Sequence, residues 1–470
     1  MTMESMIEAS LSEIKEKLVL FFGEHEGASL TPELASLVTA ELQSRSAQMC
    51  RAVFGAFLAS KEETRDVIAV GGETFRFKQV ATKSCLSVFG SLEVPRRLFQ
   101  NASDTRSFAP MDRAWGMQEE YLTMEVREAV AFGCAHVTPE EAVAMLGKVL
   151  PQAPHATQVK RALASIAACI APHREAVDRH IRAQEMVPEK TRAVVASMDG
   201  VNVLLNEPGV KRGRPAERPT GEPSRETPTS YKNAMVGSIS FYGEVAGDRR
   251  CPERLVSRYV SHMPEERAVS FKAKFEAELA DVVAHHGRGE IAKVVLCDGA
   301  RGIWTYIDGH ACFDDFEKLV DYWHAVEHLS LAAEALFGKG SEKAARWYGK
   351  YRRKLKEADR GPQSVLDSMD YYAGIGKLSK ARRDALQTQR TFFARNKGRM
   401  TYADFRRRGL PIGSGPVEAA CKTLVKARMG RSGMRWSREG GQRILDFRTY
   451  VKSARWENFW AQYKQLATPA

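Results

Sequence analysis

Ala193-Val-Val-Ala-Ser-Met-Asp199-Gly200 and Ile291-Ala-Lys-Val-Val-Leu-Cys-Asp298-Gly299 are the stretches on which the fold turns. Each is a short, nearly continuous apolar run of the kind that forms a strand buried on both faces, and each ends on an aspartate followed by glycine. If the two strands are neighbours, both carboxylates meet at one sheet edge, where open α/β sheets place their sites. Asp-Gly is equally a hairpin-turn signal. That alternative suits Asp199-Gly200, after which Val201-Asn-Val-Leu-Leu205 resumes a strand pattern. It suits Asp298 less, because Gly299-Ala-Arg-Gly-Ile-Trp304 does not.

Outward from these runs, β-rich patterns recur at 234–242 and, more weakly, at 319–323, with a helical stretch at 265–285. The order strand, long loop, strands, helix, strand, short helix, strand predicts a mixed α/β sheet. Asn206 to Ser230 is polar and rich in Pro and Gly, so it reads as a loop, and its Lys211-Arg212-Gly213-Arg214-Pro215 looks like a short basic arm for a minor groove or a plain basic loop. From Ala325 to about Arg408 the pattern is helical and dense in charge, including Arg346, Lys350, Arg352 and Arg353, which predicts a helical insertion separating the sheet from its final helix.

The first third reads differently. Residues 4–60 are helical, residues 66–99 break into short β-rich runs such as Asp66-Val-Ile-Ala-Val70 and Thr74-Phe-Arg-Phe77, and residues 117–185 return to helix. Thr138-Pro139-Glu140-Glu141 combines an N-cap, a Pro at the first helical position and a capping-box Glu. The two short helices at 140–150 and 157–170 form either a helix-turn-helix presenting Gln158, Lys160 and Arg161 to DNA or an ordinary helical hairpin. The expected organisation is an N-terminal region of 1–115, a helical region of 116–190, a core begun at 191–330, an insertion at 331–409 and core helices at 410–470.

Composition narrows the class of function. With 470 residues, 44% hydrophobic and 27% charged, the chain is an ordinary globular protein of two or three domains. No apolar run approaches the ~20 residues needed to span a bilayer, and the first residues lack the pattern of a secretory signal, so a cytoplasmic protein without membrane partners is expected. The eight cysteines include no Cys-x-x-Cys pair, which gives no sign of a zinc ribbon. A net charge of +12 points to an anionic partner.

A third carboxylate stands in Pro411-Ile-Gly-Ser-Gly-Pro-Val-Glu418-Ala-Ala-Cys-Lys422-Thr-Leu-Val-Lys426, where turn residues and Pro416 set a helix start. Glu418 falls in the first turn, where the helix dipole alone favours it, and it also forms an i,i+4 pair with Lys422. Two aspartates on strands and a glutamate on a later helix are nevertheless what a pair of Mg²⁺ or Mn²⁺ ions needs. Such a pair activates the attacking oxygen and stabilises the leaving one in an in-line displacement at phosphorus. Lys422, Lys426, Arg428, Arg431, Arg435 and Arg438 follow closely, either as a phosphate-binding run or as a solvated helix face.

At these residues the chain resembles the ISKra insertion-sequence transposases, the fourth family bearing that prefix, within the class that uses an Asp-Asp-Glu triad. The likeness is carried by Ser197-Met-Asp-Gly200, Leu296-Cys-Asp-Gly-Ala-Arg-Gly-Ile-Trp304, Leu319-Val-Asp-Tyr-Trp-His-Ala-Val-Glu-His-Leu329, and above all Leu410 to Lys426 continuing to Ser432-Gly-Met-Arg-Trp-Ser437. It runs from about Val194 to Trp460. The resemblance implies an RNase H-like core in which Asp199, Asp298 and Glu418 are catalytic and hold two metal ions, with Asp321 and His324 in a supporting Asp-x-x-His element. It further implies cleavage of DNA at transposon terminal inverted repeats and transfer into target DNA by a homo-oligomer. Some relatives carry cysteine-rich, zinc-finger-like N-terminal segments; here the β-rich region holds only Cys85, with no partner at metal spacing, which departs from that pattern. A non-catalytic DNA-binding regulator and a nuclease that never joins strands are the alternatives.

Overall fold

The computed structural model describes residues 3–101, 106–207, 231–245, 251–285, 291–376 and 378–468. The chain divides into two compact units, Met1–Arg179 together with Arg455–Ala470, and His180–Ala454. Among the described residues no helix is long and apolar enough to cross a membrane.

In the first unit, helices Met3–His25 and Pro32–Ser60 pack on one another, the second opened by Thr31, whose hydroxyl accepts the Leu34 N–H at 3.2 Å. An antiparallel sheet follows in the order β1 (Val67–Val70), β2 (Glu73–Ser87), β3 (Gly90–Asn101) and β4 (Ser107–Phe108). The capping box read at Thr138 is present: Thr138 Oγ1 accepts the Glu141 N–H at 3.1 Å, and Glu141 accepts the Thr138 N–H at 2.8 Å. Helix Pro139–Leu146 is followed by Ala156–Ile170, whose Val159, Leu163 and Ile166 are buried. The chain's last helix, Trp456–Ala467, belongs to this unit rather than to the core that 410–470 was expected to complete. The reason is a buried cation: Arg127, 1% exposed, donates to Tyr463 Oη and to the Gly116 carbonyl, both at 2.7 Å.

The second unit is built on a mixed five-stranded sheet, β5 (Ala193–Leu204), β6 (Tyr231–Tyr242), β7 (Arg254–His262), β8 (Ala292–Cys297) and β9 (Glu317–Val320), in the order β7-β6-β5-β8-β9. β5, β6 and β7 are antiparallel neighbours, whereas β5, β8 and β9 run parallel. Ala193 to Met198 are all buried, as a central strand requires, and the core continues into helices Val269–His285, Tyr322–Phe337 and Lys380–Asn396. The insertion read from 325 to 408 is helical, with Glu342–Glu357, Gly361–Ile375 and Tyr402–Arg407 completing it.

A turn at Asp199-Gly200 does not form. The strand runs through both residues, Asp199 opposite Val236 and Gly200 opposite Met235, because Val201, Val203 and Leu205 have a second apolar cluster to enter. That cluster is closed by Val417, Leu424, Val425 and Leu445 from the helices beyond the insertion. At Gly237, in the middle of β6, a Cβ would sit 2.5 Å from the Phe275 ring, so the helix above reaches the sheet only over a glycine. Gly237→Ala is expected to overpack this layer and cost about 1–3 kcal/mol, read as a lower urea midpoint by circular dichroism. An unchanged midpoint would mean the ring moves aside freely.

Candidate active site at a strand fork

β5 and β8 pair only from Ala193 with Ala292 to Ala196 with Val295. Beyond that point β8 stops at Cys297 while β5 continues along β6 to Leu204, and the two strands part. Asp199 and Asp298 both lie just past the parting, where the Met198 N–H still meets Cys297 Sγ at 3.4 Å. Asp298 Oδ1 accepts the Ala300 N–H at 3.0 Å, its carbonyl accepts Trp304 Nε1 at 2.6 Å, and Arg395 donates to the Gly299 carbonyl at 2.8 Å. The glycine after Asp298 is a packing requirement, since a Cβ there would meet the Phe392 ring at 2.1 Å.

β9 delivers Asp321 to the same end of the sheet. Its carboxylate is 1% exposed: Oδ1 caps helix Tyr322–Phe337 by accepting the His324 N–H at 2.8 Å, and Oδ2 accepts the Ser414 N–H. Asp321 thus ties the sheet to the turn immediately before Glu418, while the Tyr322 N–H reaches back to the Ile412 carbonyl at 3.0 Å. Glu418 follows on the exposed face of its helix.

The carboxylates act on one another in pairs, Asp298 on Asp199, and Asp321 and Asp199 on Glu418. Burial holds the Asp199 carboxyl above its ordinary pKa and the charge of Asp298 adds to this, opposed by the Gly200 N–H, the Cys421 thiol and His324. Partial burial likewise raises Glu418, with Asp321, Asp199 and Glu327 adding and Lys422 opposing. Among the described residues, the hydrogen-bond partners of Asp199, Asp298 and Asp321 are backbone N–H groups and the Cys421 thiol, which stands 3.5 Å from Asp199 Oδ2, and none is Lys or Arg. Uncompensated carboxylate oxygens suit a hard divalent cation by charge and donor type. As they stand, no group of three or more His, Cys, Asp or Glu among the described residues is placed to hold a metal ion.

His324 is half-buried, with Nδ1 3.6 Å from Glu327. Beside it His328 stacks on Phe392 with ring centroids 3.6 Å apart and bonds Gln389 at 2.6 Å, and burial lowers its pKa. Asp298, His324, His328, Thr391, Phe392 and Arg395 line a cleft of about 560 Å³. Sequence reasoning missed the Phe392 side of this cleft, because nothing local marks a residue almost a hundred positions away as the neighbour of Asp298.

Of the expected phosphate-binding residues, Lys422, Lys426, Arg431 and Arg435 are exposed. Arg428 corrects the reading of a uniformly basic surface run: it is 2% exposed, with its guanidinium 5.0 Å from the Trp436 ring centroid. Lys160 and Arg161 are exposed in the first unit, Lys160 paired with Glu140 at 3.2 Å. Lys211, Arg212 and Arg214 lie outside the described residues.

Asp321→Ala is expected to cost about 1–3 kcal/mol, because two backbone N–H groups lose their acceptor. Asp321→Asn keeps one acceptor oxygen and should cost less, a difference read from urea midpoints. Equal, negligible losses would mean these bonds do not hold the turn before Glu418.

No known protein-family profile matches the chain, and no curated protein does. Among solved structures it is similar to a chain of the Drosophila P element transposase strand transfer complex, at 11% identity over 75% of this chain and 84% of that one, with a TM-score of 0.24. At that score the likeness carries no argument about fold or activity.

Proposed function

We propose that this protein is a transposase: a metal-dependent enzyme that cuts DNA at the ends of an insertion sequence and joins them to target DNA. The observation that carries the reading is that Asp199 and Asp298 both stand just past the point where β5 and β8 part, with the charge of Asp298 acting on Asp199 and that of Asp199 on Glu418. The motif resemblance to the ISKra transposases supports it. An RNase H-like core is supported by the mixed sheet, three antiparallel strands followed by two parallel to the first.

In this reading Asp199, Asp298 and Glu418 hold Mg²⁺ or Mn²⁺, and a bound pair of such ions would supply charge stabilisation to both the entering and the leaving oxygen. The protein's own part is placement. Asp199 is held within β5, Asp298 just past the end of β8, and Glu418 on an exposed helix face is the third ligand of this reading. Asp321 and His324 act in support, Asp321 by holding the turn before Glu418. Lys422 and Lys426 hold DNA phosphates, and Lys160, Arg161, Lys211, Arg212 and Arg214 are further DNA contacts. In the first displacement water attacks phosphorus and releases a 3′-hydroxyl, and in the second that hydroxyl attacks a phosphodiester of the target. Two element ends must be joined together, so the working form is a homo-oligomer on DNA.

The separation of the carboxylates favours one rival, a DNA-binding protein that does not cut. Purified protein is incubated with Mg²⁺ and labelled duplex carrying the inverted repeats that flank its gene, and products are resolved on a denaturing gel. Cleaved and joined products are expected, lost on chelation of the metal and in Asp298→Ala, while that variant still binds DNA. Binding without any cutting by the unaltered protein would leave the rival standing, and cutting without joining would leave a nuclease.

A further inference from the structure

The helix that carries Glu418 is irregular. It is α-helical over Gly415–Ala420, widens to a π-helix over Cys421–Lys426 and is α-helical again over Ala427–Met429. Its buried residues advance in steps of four, with Val417, Cys421, Val425 and Met429 in one row and Ala420, Leu424 and Arg428 in the next. An α-helix turns about 100° per residue, so the path from Val417 to Met429 would overshoot three turns by about 120° and swing Met429 off the core. One extra residue taken up in an i→i+5 turn winds the helix back by about 100°. The same correction acts on the outer face, where the exposed Glu418, Lys422 and Lys426 also stand four apart and fall into a single row.

A widened turn leaves main-chain carbonyls without their regular donors, and these must be satisfied from elsewhere. Arg448, on helix Arg438–Lys452 and 4% exposed, does so: its Nε donates to the Leu424 carbonyl and its Nη2 to the Thr423 carbonyl. The guanidinium is kept there although burial and the charges of Arg428 and Arg431 lower its pKa to about 10.

We infer that Arg448 is a positioning residue: by capping the widened turn it fixes the register that aligns Lys422 and Lys426 behind Glu418, and this row is the track for the phosphates next to the bond that is cut. The inference rests on the function proposed above. Arg448 itself touches no DNA.

The test uses the full chain on the same repeat-bearing duplex and reads two quantities, the slope of log affinity against log salt and the single-turnover cutting rate at saturating DNA with Mg²⁺. Arg448→Lys keeps a buried cation but replaces a two-pronged donor with one amine. It is expected to lower the salt slope by about 1–2 and the cutting rate about tenfold or more, with an unchanged far-UV spectrum. A folded Arg448→Lys with unaltered slope and rate overturns the inference. The exposed double variant Lys426→Ala/Ala427→Lys keeps net charge and moves one cation off the row, so the same losses are expected without touching the buried clamp. It decides the case if Arg448→Lys does not fold, and unaltered slope and rate there also overturn the inference. Absence of cutting by the unaltered protein, or cutting by Asp298→Ala, is instead a failure of the functional reading, and the salt slopes still report on the row.

Discussion

β5 and β8 share a ladder of only four residue pairs, and the arrangement of the core unit follows from where that ladder stops. Up to Ala196 the central strand is buried between parallel and antiparallel neighbours; beyond it β5 keeps β6 and loses β8. The released edge has to be covered, because unpaired strand groups and the side chains of Val201 and Val203 cannot stay in water without cost. The helices after the insertion provide the cover, and Glu418 stands in the first turn of one of them. The position of Asp199 and Asp298 is in this sense a consequence of a strand that outlasts its neighbour.

Much of this could be read from residues alone. The apolar runs ending at Asp199 and Asp298 are strands, the Thr138 capping box opens a helix, and the charged stretch after 325 is helical, since each carries its own local signal. What failed to show depended on distant partners. Arg254-Leu-Val-Ser-Arg-Tyr-Val-Ser-His262 is an edge strand whose arginines and serines mask its alternation. Asp199-Gly200 has the chemistry of a turn and is overridden by pairing with β6, which begins only at Tyr231. Arg428 reads as one more basic surface residue, and only the fold shows it turned inward beside Trp436. The four-residue step from Val417 to Met429 is in the sequence too, but without the core to fix which face is buried it looks like any amphipathic helix.

The electrostatics of the site run against the rest of the molecule. The chain carries an excess of +12, yet no Lys or Arg is among the hydrogen-bond partners of Asp199, Asp298 and Asp321. Burial raises the pKa of both Asp199 and Glu418, and neighbouring carboxylates add to the rise. Carboxyls raised in this way do not add to the stability of the fold. The Cys421 thiol on Asp199 is one of the few neutral contacts available there, and burial keeps that thiol protonated.

The route of the chain between the two units has a further consequence for biosynthesis. Arg127 emerges early, and its partner Tyr463 only after all of the core unit, whose residues 180–454 lie between the two segments of the first. During synthesis the guanidinium must wait in a half-made interior for more than three hundred residues, so the first unit is the last to be finished although it is the first to be made. A nascent chain that has not yet released this segment therefore exposes the surface that helix Trp456–Ala467 later covers.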